Sequence, residues 1–580
     1  MEYKALIPSD RAPAPFAGAL PADARHRWSV LLLWACFLAY LAYWARLHWG
    51  WLFDPLLQND DARIWIFPFH RCTPGAPLAA DPVALEKLAL TPYGLRLLYQ
   101  ALVPWTGVYA APKIVQGLCL AVAGWAGWAL GRSRRGGLAA GVLLVFLVLN
   151  TAFIVNRMAG GLARSFAFPL LALWAAGVFS RRERLRWAAV LLAALTYPSA
   201  LVLLLGCEAL TALWENLRPG GKLARRALLR AVFLAGASLL LMLPYAADTK
   251  HLGRPFTMRD AVNEPAFHAK GRLPELPFPG LDDLRKKLAP YPGYALAPAG
   301  LGALAVLALL ARCVLPAAAM AFLAASAGLY GLSRLLAFRL FLPERFVEYA
   351  GPMLCLMLAL ALLRLVAART RGPGRYALRN FAVCVFMAGS LLLFPKNVRT
   401  ENGMTIEGRT HARLYAFLRT LPADISIACH PDDGSDIPFW AGRSTLVNRE
   451  NLLPFAVEFW EFQKGRARAA LAALYAVRRE DALAFTGKYG VTHFLLNEGR
   501  YGADFKAASS MFEPFGSYAA ELTAPLKRED LVLAAVPPQA VVLREPPFLL
   551  VDVKLLREAW GQSRAGGQRQ PLPRGAAGRK

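Results

Sequence analysis

Apolar residues in this chain come in unbroken blocks close to the length of a bilayer crossing, such as VLLLWACFLAYLAYWA and GGLAAGVLLVFLVL. A helix needs about 20 predominantly apolar residues to span a hydrocarbon core of ~30 Å. In that medium every backbone polar group must be satisfied internally, which leaves helices and closed barrels. Disordered chains, collagen-like repeats and ordinary soluble enzymes are excluded. Composition agrees: 56% of the 580 residues are hydrophobic, only 18% are charged, and the mean hydropathy is +0.36. Soluble proteins run at about 45–50% apolar and about 25% charged.

The charge then fixes the threading. Lys and Arg number 66 against 39 Asp and Glu, a net +27. In a soluble protein such an excess suggests nucleic acid. Here the clusters RSRRGG, SRRERLR, RPGGKLARRALLR and ARTRGPGRYALR lie directly between apolar blocks, as cytoplasmic loops do. No module that reads or stacks bases is visible, so nucleic acid is not an expected partner.

Arg25 and Arg27 precede the first span, 28–49, which reads as a signal anchor with residues 1–27 as a cytoplasmic tail. Further spans are expected near 110–130, 137–153, 161–179, 228–245, 295–311, 314–332, 349–367 and 380–395, with outer loops at 50–108 and 246–294. The block 187–213 has arginine-rich loops at both ends and Pro198 in its middle, so it reads as two short helices that turn back at TYPS. The fold class expected is an α-helical polytopic membrane protein, with about 11 membrane segments and one pair re-entrant. Residues 28–395 form this transmembrane domain.

From residue 396 the pattern changes. Short β-like runs (DISIACH, STLVN, VTHFLLN, LVLAAV, FLLVDV) alternate with helix-like stretches, which predicts a C-terminal extracytoplasmic α/β domain over 396–560 with a partly parallel sheet. Residues 561–580 lack apolar periodicity and are expected to be a disordered basic tail. Eight cysteines are scattered singly without metal spacing. Cys72 and Cys429 fall outside the membrane, and the sequence leaves open whether they pair.

Two groups of residues carry chemistry. Asp60 and Asp61 are adjacent in QNDDARIWIFPFHRC, just beyond the first span. Such a pair can take a hydroxyl proton or hold a divalent cation. The second group is arginine on the side where the orientation rule predicts little positive charge. Arg334, Arg339 and Arg345 lie in the turn SRLLAFRLFLPERFVEY, and Arg157 and Arg164 lie around the start of the fourth span. The 17 residues from Arg164 to the cytoplasmic Arg181 cover roughly 25 Å of helix, which sets Arg164 near the outer face. Charges in such places are expensive and tend to be functional, while some only snorkel to lipid headgroups; as a group they suit a phosphate, because guanidinium binds phosphate oxygens in pairs.

An acidic pair facing an arginine set suits one reaction. An acceptor hydroxyl attacks the anomeric carbon of a lipid-phosphate sugar, a carboxylate takes the proton, and the arginines stabilise the departing phosphate. At these residues the sequence resembles the GT-C membrane glycosyltransferases, which include oligosaccharyltransferases and protein mannosyltransferases. The resemblance rests on Asp60 and Asp61 in the first outer loop, the many spans and the outer C-terminal domain. TPYGLRLLYQALVPW (91–105) also looks like the amphipathic surface helix of that loop. A WWD-type acceptor motif is not found, and Asp60 and Asp61 are adjacent rather than spaced Asp-x-Asp.

The resemblance implies a polyprenyl-phosphate-linked sugar as donor, a glycan, lipid or protein acceptor, contact with membrane lipids, and a multi-pass protein of the plasma (inner) membrane with an extracytoplasmic active site. Catalysis is then expected at Asp60 and Asp61, with phosphate held by Arg345, Arg164 and Arg339. If the enzyme is metal-dependent, Asp60 and Asp61 would hold the cation, Mg or Mn. Competing readings are a flippase of lipid-linked sugars, or a ligase or polymerase of the O-antigen type that relies on Arg and His. HPDDGSD (His430, Asp432, Asp433) reads first as a turn. His251 and His268 read as loop histidines, Trp440, Trp460 and Phe459 as core, and Glu208 as a helix-end residue.

Overall fold

The structure, a computed structural model, describes residues 24–133, 137–216, 222–274, 317–336, 340, 343–369, 373–393 and 405–567. Among these, six helices are long and apolar enough to cross a membrane, or seven if the bent pair Gly137–Asn150 and Ala152–Gly161 is one span. The chain is therefore a multi-pass helical membrane protein. The expected span at 295–311, Arg339, most of the basic tail and the start of the N-terminal tail lie outside the described residues.

The first crossing is Ala24–Leu47. The helix Tyr93–Arg132 is two helices joined at Gly107, whose φ of 79° and ψ of 165° break the helical path. Glycine alone adopts that conformation without strain. The segment before Gly107 covers the stretch where the sequence suggests a surface helix, and the segment after it holds the expected second span. Gly137–Asn150 and Ala167–Ser180 follow, then Glu183–Thr196 and Pro198–Asn216 separated by Tyr197.

That last pair turns back on itself. Arg186 and Glu208 are 22 positions apart, which in one continuous helix would separate them by about 33 Å. Instead Arg186 Nη2 donates to Glu208 Oε2 at 2.7 Å. Tyr197 sits at the hairpin tip because Pro198 supplies no amide hydrogen to continue the ladder. Lys222–Thr249, Ala317–Leu336, Ala350–Arg369 and Pro373–Leu393 complete the described bundle.

Two short strands tie the bundle to the C-terminal domain. β1 (Leu57–Asn59) in the first loop pairs antiparallel with β2 (Thr405–Glu407) at the domain's entrance. The domain itself has a five-stranded sheet ordered β4–β3–β5–β7–β6. β3 (Ser426–Cys429) runs parallel to β4 (Ser444–Thr445) and β5 (His493–Asn497). β7 (Phe548–Asp552) and β6 (Val541–Glu545) are antiparallel additions.

Side chains alternate across this sheet. Ile427, Cys429, Leu495 and Leu550 join the apolar core of the bundle. Ala428, Phe494, Leu496, Leu549 and Val551 join a second core under the helices of the domain. The domain is thus welded to the loops through one face of its sheet. The expected strand LVLAAV is instead a 3-10 turn, Val532–Ala535, with Leu533 buried: a short apolar run fits either conformation, and two prolines follow it. The last helix, Val553–Gly567, runs past the expected boundary at 560.

Candidate functional site

The β1–β2 ladder sets the acidic pair. Arg409 reinforces it by donating to Asp54 at 2.8 Å and Glu407 at 2.9 Å. Immediately after β1, the chain turns through Asp60 and Asp61 into the short helix Ala62–Trp65. Gly160 makes room for this turn: a Cβ there would lie 2.8 Å from Asn59 Cβ, and its φ of +80° already favours glycine.

Asp60 and Asp61 face different partners. Asp60 is paired with Arg63 at 2.6 Å. The same guanidinium reaches two carboxylates of the α/β domain, Asp436 at 3.0 Å and Glu450 at 3.3 Å, and Arg272 holds the other oxygen of Glu450 at 2.5 Å. Burial raises the Asp60 carboxyl above its ordinary range, Arg63 opposes the shift, and the charges of Glu450, Asp61 and Asp436 add to it.

Asp61 accepts from Arg164 Nη1, and Arg164 Nη2 donates to Asn59 Oδ1 at 3.2 Å. The third nitrogen, Arg164 Nε, is buried with no partner. Arg164 occupies the 3-10 turn Ala163–Phe166, just ahead of the crossing Ala167–Ser180.

Beyond Arg164 the cluster continues to the turn Pro343–Phe346. Arg157 binds Glu348 at 2.7 Å, and the Glu348 carboxylate is within electrostatic reach of both Arg345 and Arg164. The Arg345 guanidinium lies 6.0 Å from the ring of Tyr197, at the tip of that helical hairpin. It makes no ion pair or hydrogen bond with any described residue.

The structure therefore brings Asp60, Asp61, Arg164 and Arg345 into one continuous polar cluster at the end of the bundle that carries the α/β domain. Arg63, Arg272, Asp436, Glu450 and Glu348 belong to it but were not singled out by sequence. Only Glu348 carried a local signal, an acid three residues after Arg345. A divalent cation does not fit the acidic pair as arranged. Both carboxylates are engaged by guanidinium groups, and among the described residues no group of three or more His, Cys, Asp or Glu could hold a metal. In this arrangement the two carboxylates stand as ion-pair partners of Arg63 and Arg164.

The other candidates resolve as structure. Asp433 is clamped by Arg500 at 2.6 Å and Asp432 by Arg449 at 3.0 Å, while burial holds His430 down at about 4. The crevice at the carboxyl ends of β3 and β5, where ligands bind in open α/β sheets, is a cavity of about 10 Å³ with room for about one water. Trp440 and Trp460 are buried in the two cores. His268 bonds the Val262 carbonyl at 2.9 Å. Cys72 and Cys429 are both free, and burial pushes both thiols up.

No protein-family model matches the sequence, and no curated protein matches it. Among solved structures, the chain is similar to the oligosaccharyltransferase AglB of Archaeoglobus fulgidus in complex with an inhibitory peptide and a dolichol-phosphate. The identity is 14%, over 86% of this chain and 72% of that one, with a TM-score of 0.45. A second structure of the archaeal enzyme, tethered to an acceptor peptide containing the NVT sequon, gives 13% identity, the same coverage and 0.46. A third, complexed with Zn and sulfate, gives 13% over 84% and 70%, at 0.43. Likeness of this degree assigns the present chain no activity, donor or acceptor.

Proposed function

We propose that the protein is a membrane glycosyltransferase that moves a sugar from a polyprenyl-phosphate donor to an acceptor hydroxyl, on the outer face of the plasma membrane. One observation carries the reading: Asp61 and Arg164 are in contact, so the acidic loop and the arginine set form one site. Asp60, raised in basicity and about one-third exposed, takes the acceptor proton. The acceptor oxygen bonds to the anomeric carbon as the bond from that carbon to the phosphate oxygen breaks, and the electron pair leaves on the phosphate. Arg345 and Arg164 stabilise the charge that grows there. The placement relative to the membrane follows from the basic clusters, such as Arg181 and Arg182, at the end of the helices opposite the site.

Lipid-linked sugars extracted from cells lacking the protein should show one accumulated donor, which the purified protein consumes. Asp60→Asn should lower that consumption by about 100-fold or more, the usual contribution of a positioned base, with unchanged thermal unfolding. Full activity in Asp60→Asn, Asp61→Asn and the double variant would reject the site. Movement of the lipid across vesicles without product would favour a flippase.

A further inference from the structure

The two aspartates are adjacent in sequence but differently committed. Asp60 shares Arg63 with two carboxylates of the α/β domain, whereas Asp61 faces the arginine set. Arg164 is only partly satisfied by its neighbours: Nη1 goes to Asp61, Nη2 to Asn59 at 3.2 Å, and Nε is buried without a partner. Arg345 makes no ion pair or hydrogen bond with a described residue: Glu348 lies within its electrostatic reach but is bound by Arg157 at 2.7 Å. The cluster thus holds one guanidinium without an ion pair and one that a single carboxylate detains. A phosphate oxygen accepts from guanidinium in the same fork geometry as a carboxylate.

We propose that Asp61 is a placeholder for the donor phosphate: it holds the Arg164 guanidinium in position while the site is empty, and yields it to a phosphate oxygen when donor binds. This rests on the glycosyltransferase reading of the site, and makes Asp61 a positioning residue rather than a second base. A phosphate drawn first to Arg345 brings its oxygens toward Arg164 and completes the unused Nε donor. Breaking the contact with Asp61 is then a toll on donor binding, because only the surplus over that ion pair appears as affinity.

The consequence is opposite in sign to ordinary loss of a site residue. Asp61→Asn, nearly the same shape without the charge, should bind polyprenyl phosphate up to about fivefold more tightly than wild type, the range expected when a partly exposed ion pair no longer competes. Asp61→Glu, which keeps the charge, should show no such gain.

The experiment is equilibrium binding of polyprenyl phosphate to the full-length protein in phosphatidylcholine nanodiscs, with inorganic phosphate as a second arm. If the phosphate group alone drives the exchange, inorganic phosphate shows the same gain in Asp61→Asn at lower affinity. A gain confined to the lipid also supports the exchange, with the polyprenyl chain needed to seat the anion. Arg164→Gln should weaken binding, and adding Asp61→Asn to it should change nothing further. If the gain persists in Arg164→Gln, the charge of Asp61 acts through space and the placeholder role is overturned. Equal or weaker binding by Asp61→Asn overturns it as well. Absence of binding by wild type and all variants would instead overturn the donor-site reading on which it rests.

Discussion

Arg345 shows how much the charge of a single residue can reveal. In the orientation the basic loops predict, it is positive where little positive charge is expected, and the fold sets it over Tyr197 without a hydrogen-bond acceptor among the described residues. Arg164 was legible for the same reason. Arg63 was not: its spacing to Asp60 resembles an ordinary helical pair, and its other partners lie 373 and 387 positions away. Nothing local encodes such contacts, since they exist only once the domain is docked. For Arg345 the expected outcome of replacement follows from its having no ion pair or hydrogen bond with a described residue. Arg345→Ala should raise the donor KM by about 10- to 100-fold, matching the ~1.5–3 kcal/mol of hydrogen bonds to a charged group. Arg345→Lys should recover only part, because ammonium lacks the planar fork. Initial rates over a donor series check both, and an unchanged KM in Arg345→Ala removes it from the donor site.

Among the elements, the hairpin Glu183–Thr196 and Pro198–Asn216 was readable because charge at both ends and a proline between them argue against a single straight crossing. What holds it was hidden. Glu208 is fully buried and accepts from Trp174 at 2.8 Å, from Arg186 at 2.7 and 2.8 Å, and from Arg230 at 3.1 Å. One carboxylate therefore fastens four helices at the end away from the site, while the hairpin tip delivers Tyr197 to Arg345. Glu208→Gln leaves Arg186 without its carboxylate and Arg230 with Glu183 alone, and should destabilise the bundle by about 3 kcal/mol, as removal of one partner of a buried pair does. The thermal midpoint in detergent or nanodiscs reports this, and a midpoint within experimental scatter of wild type would mean the staple is dispensable. Strands were less legible than helices. β1 and β2 are three residues each, too short for any period to show, yet they place the acidic pair.

At the scale of the whole molecule, the proposed site is complete only with the α/β domain held against the first loop, since Arg63 there pairs with Asp436 and Glu450. The joint is made by the β1–β2 ladder, by Arg63 to Asp436 and Glu450, by Tyr109 Oη donating to the Trp440 carbonyl at 2.6 Å, and by His70 Nε2 donating to the Phe439 carbonyl at 2.7 Å. Two histidines, one in the joint and one inside the domain, fix a pH dependence. Burial, reinforced by the positive charges of Arg443 and Arg419, lowers His70 from 6.5 to about 4, and burial likewise lowers His430 inside the domain to about 4. Below pH 6.5 the unfolded chain therefore takes up protons that the folded protein refuses. Since stability rises with pH wherever the unfolded state binds more protons, these two histidines withdraw stability as pH falls from about 6.5 toward 4. Asp60, with its raised carboxyl, acts in the opposite sense, but it is a partly exposed group and the histidines are buried. The domain should loosen from the loop, and unfold at lower temperature, at pH 5 than at pH 7. His70→Gln keeps an N–H for Phe439 and cannot titrate, so it should flatten part of that slope. Thermal unfolding and hydrogen exchange over residues 67–72 and 437–441 measured at both pH values decide the matter. A wild-type midpoint independent of pH between 7 and 5, or an undiminished slope in His70→Gln, would place the acid sensitivity elsewhere than at this joint.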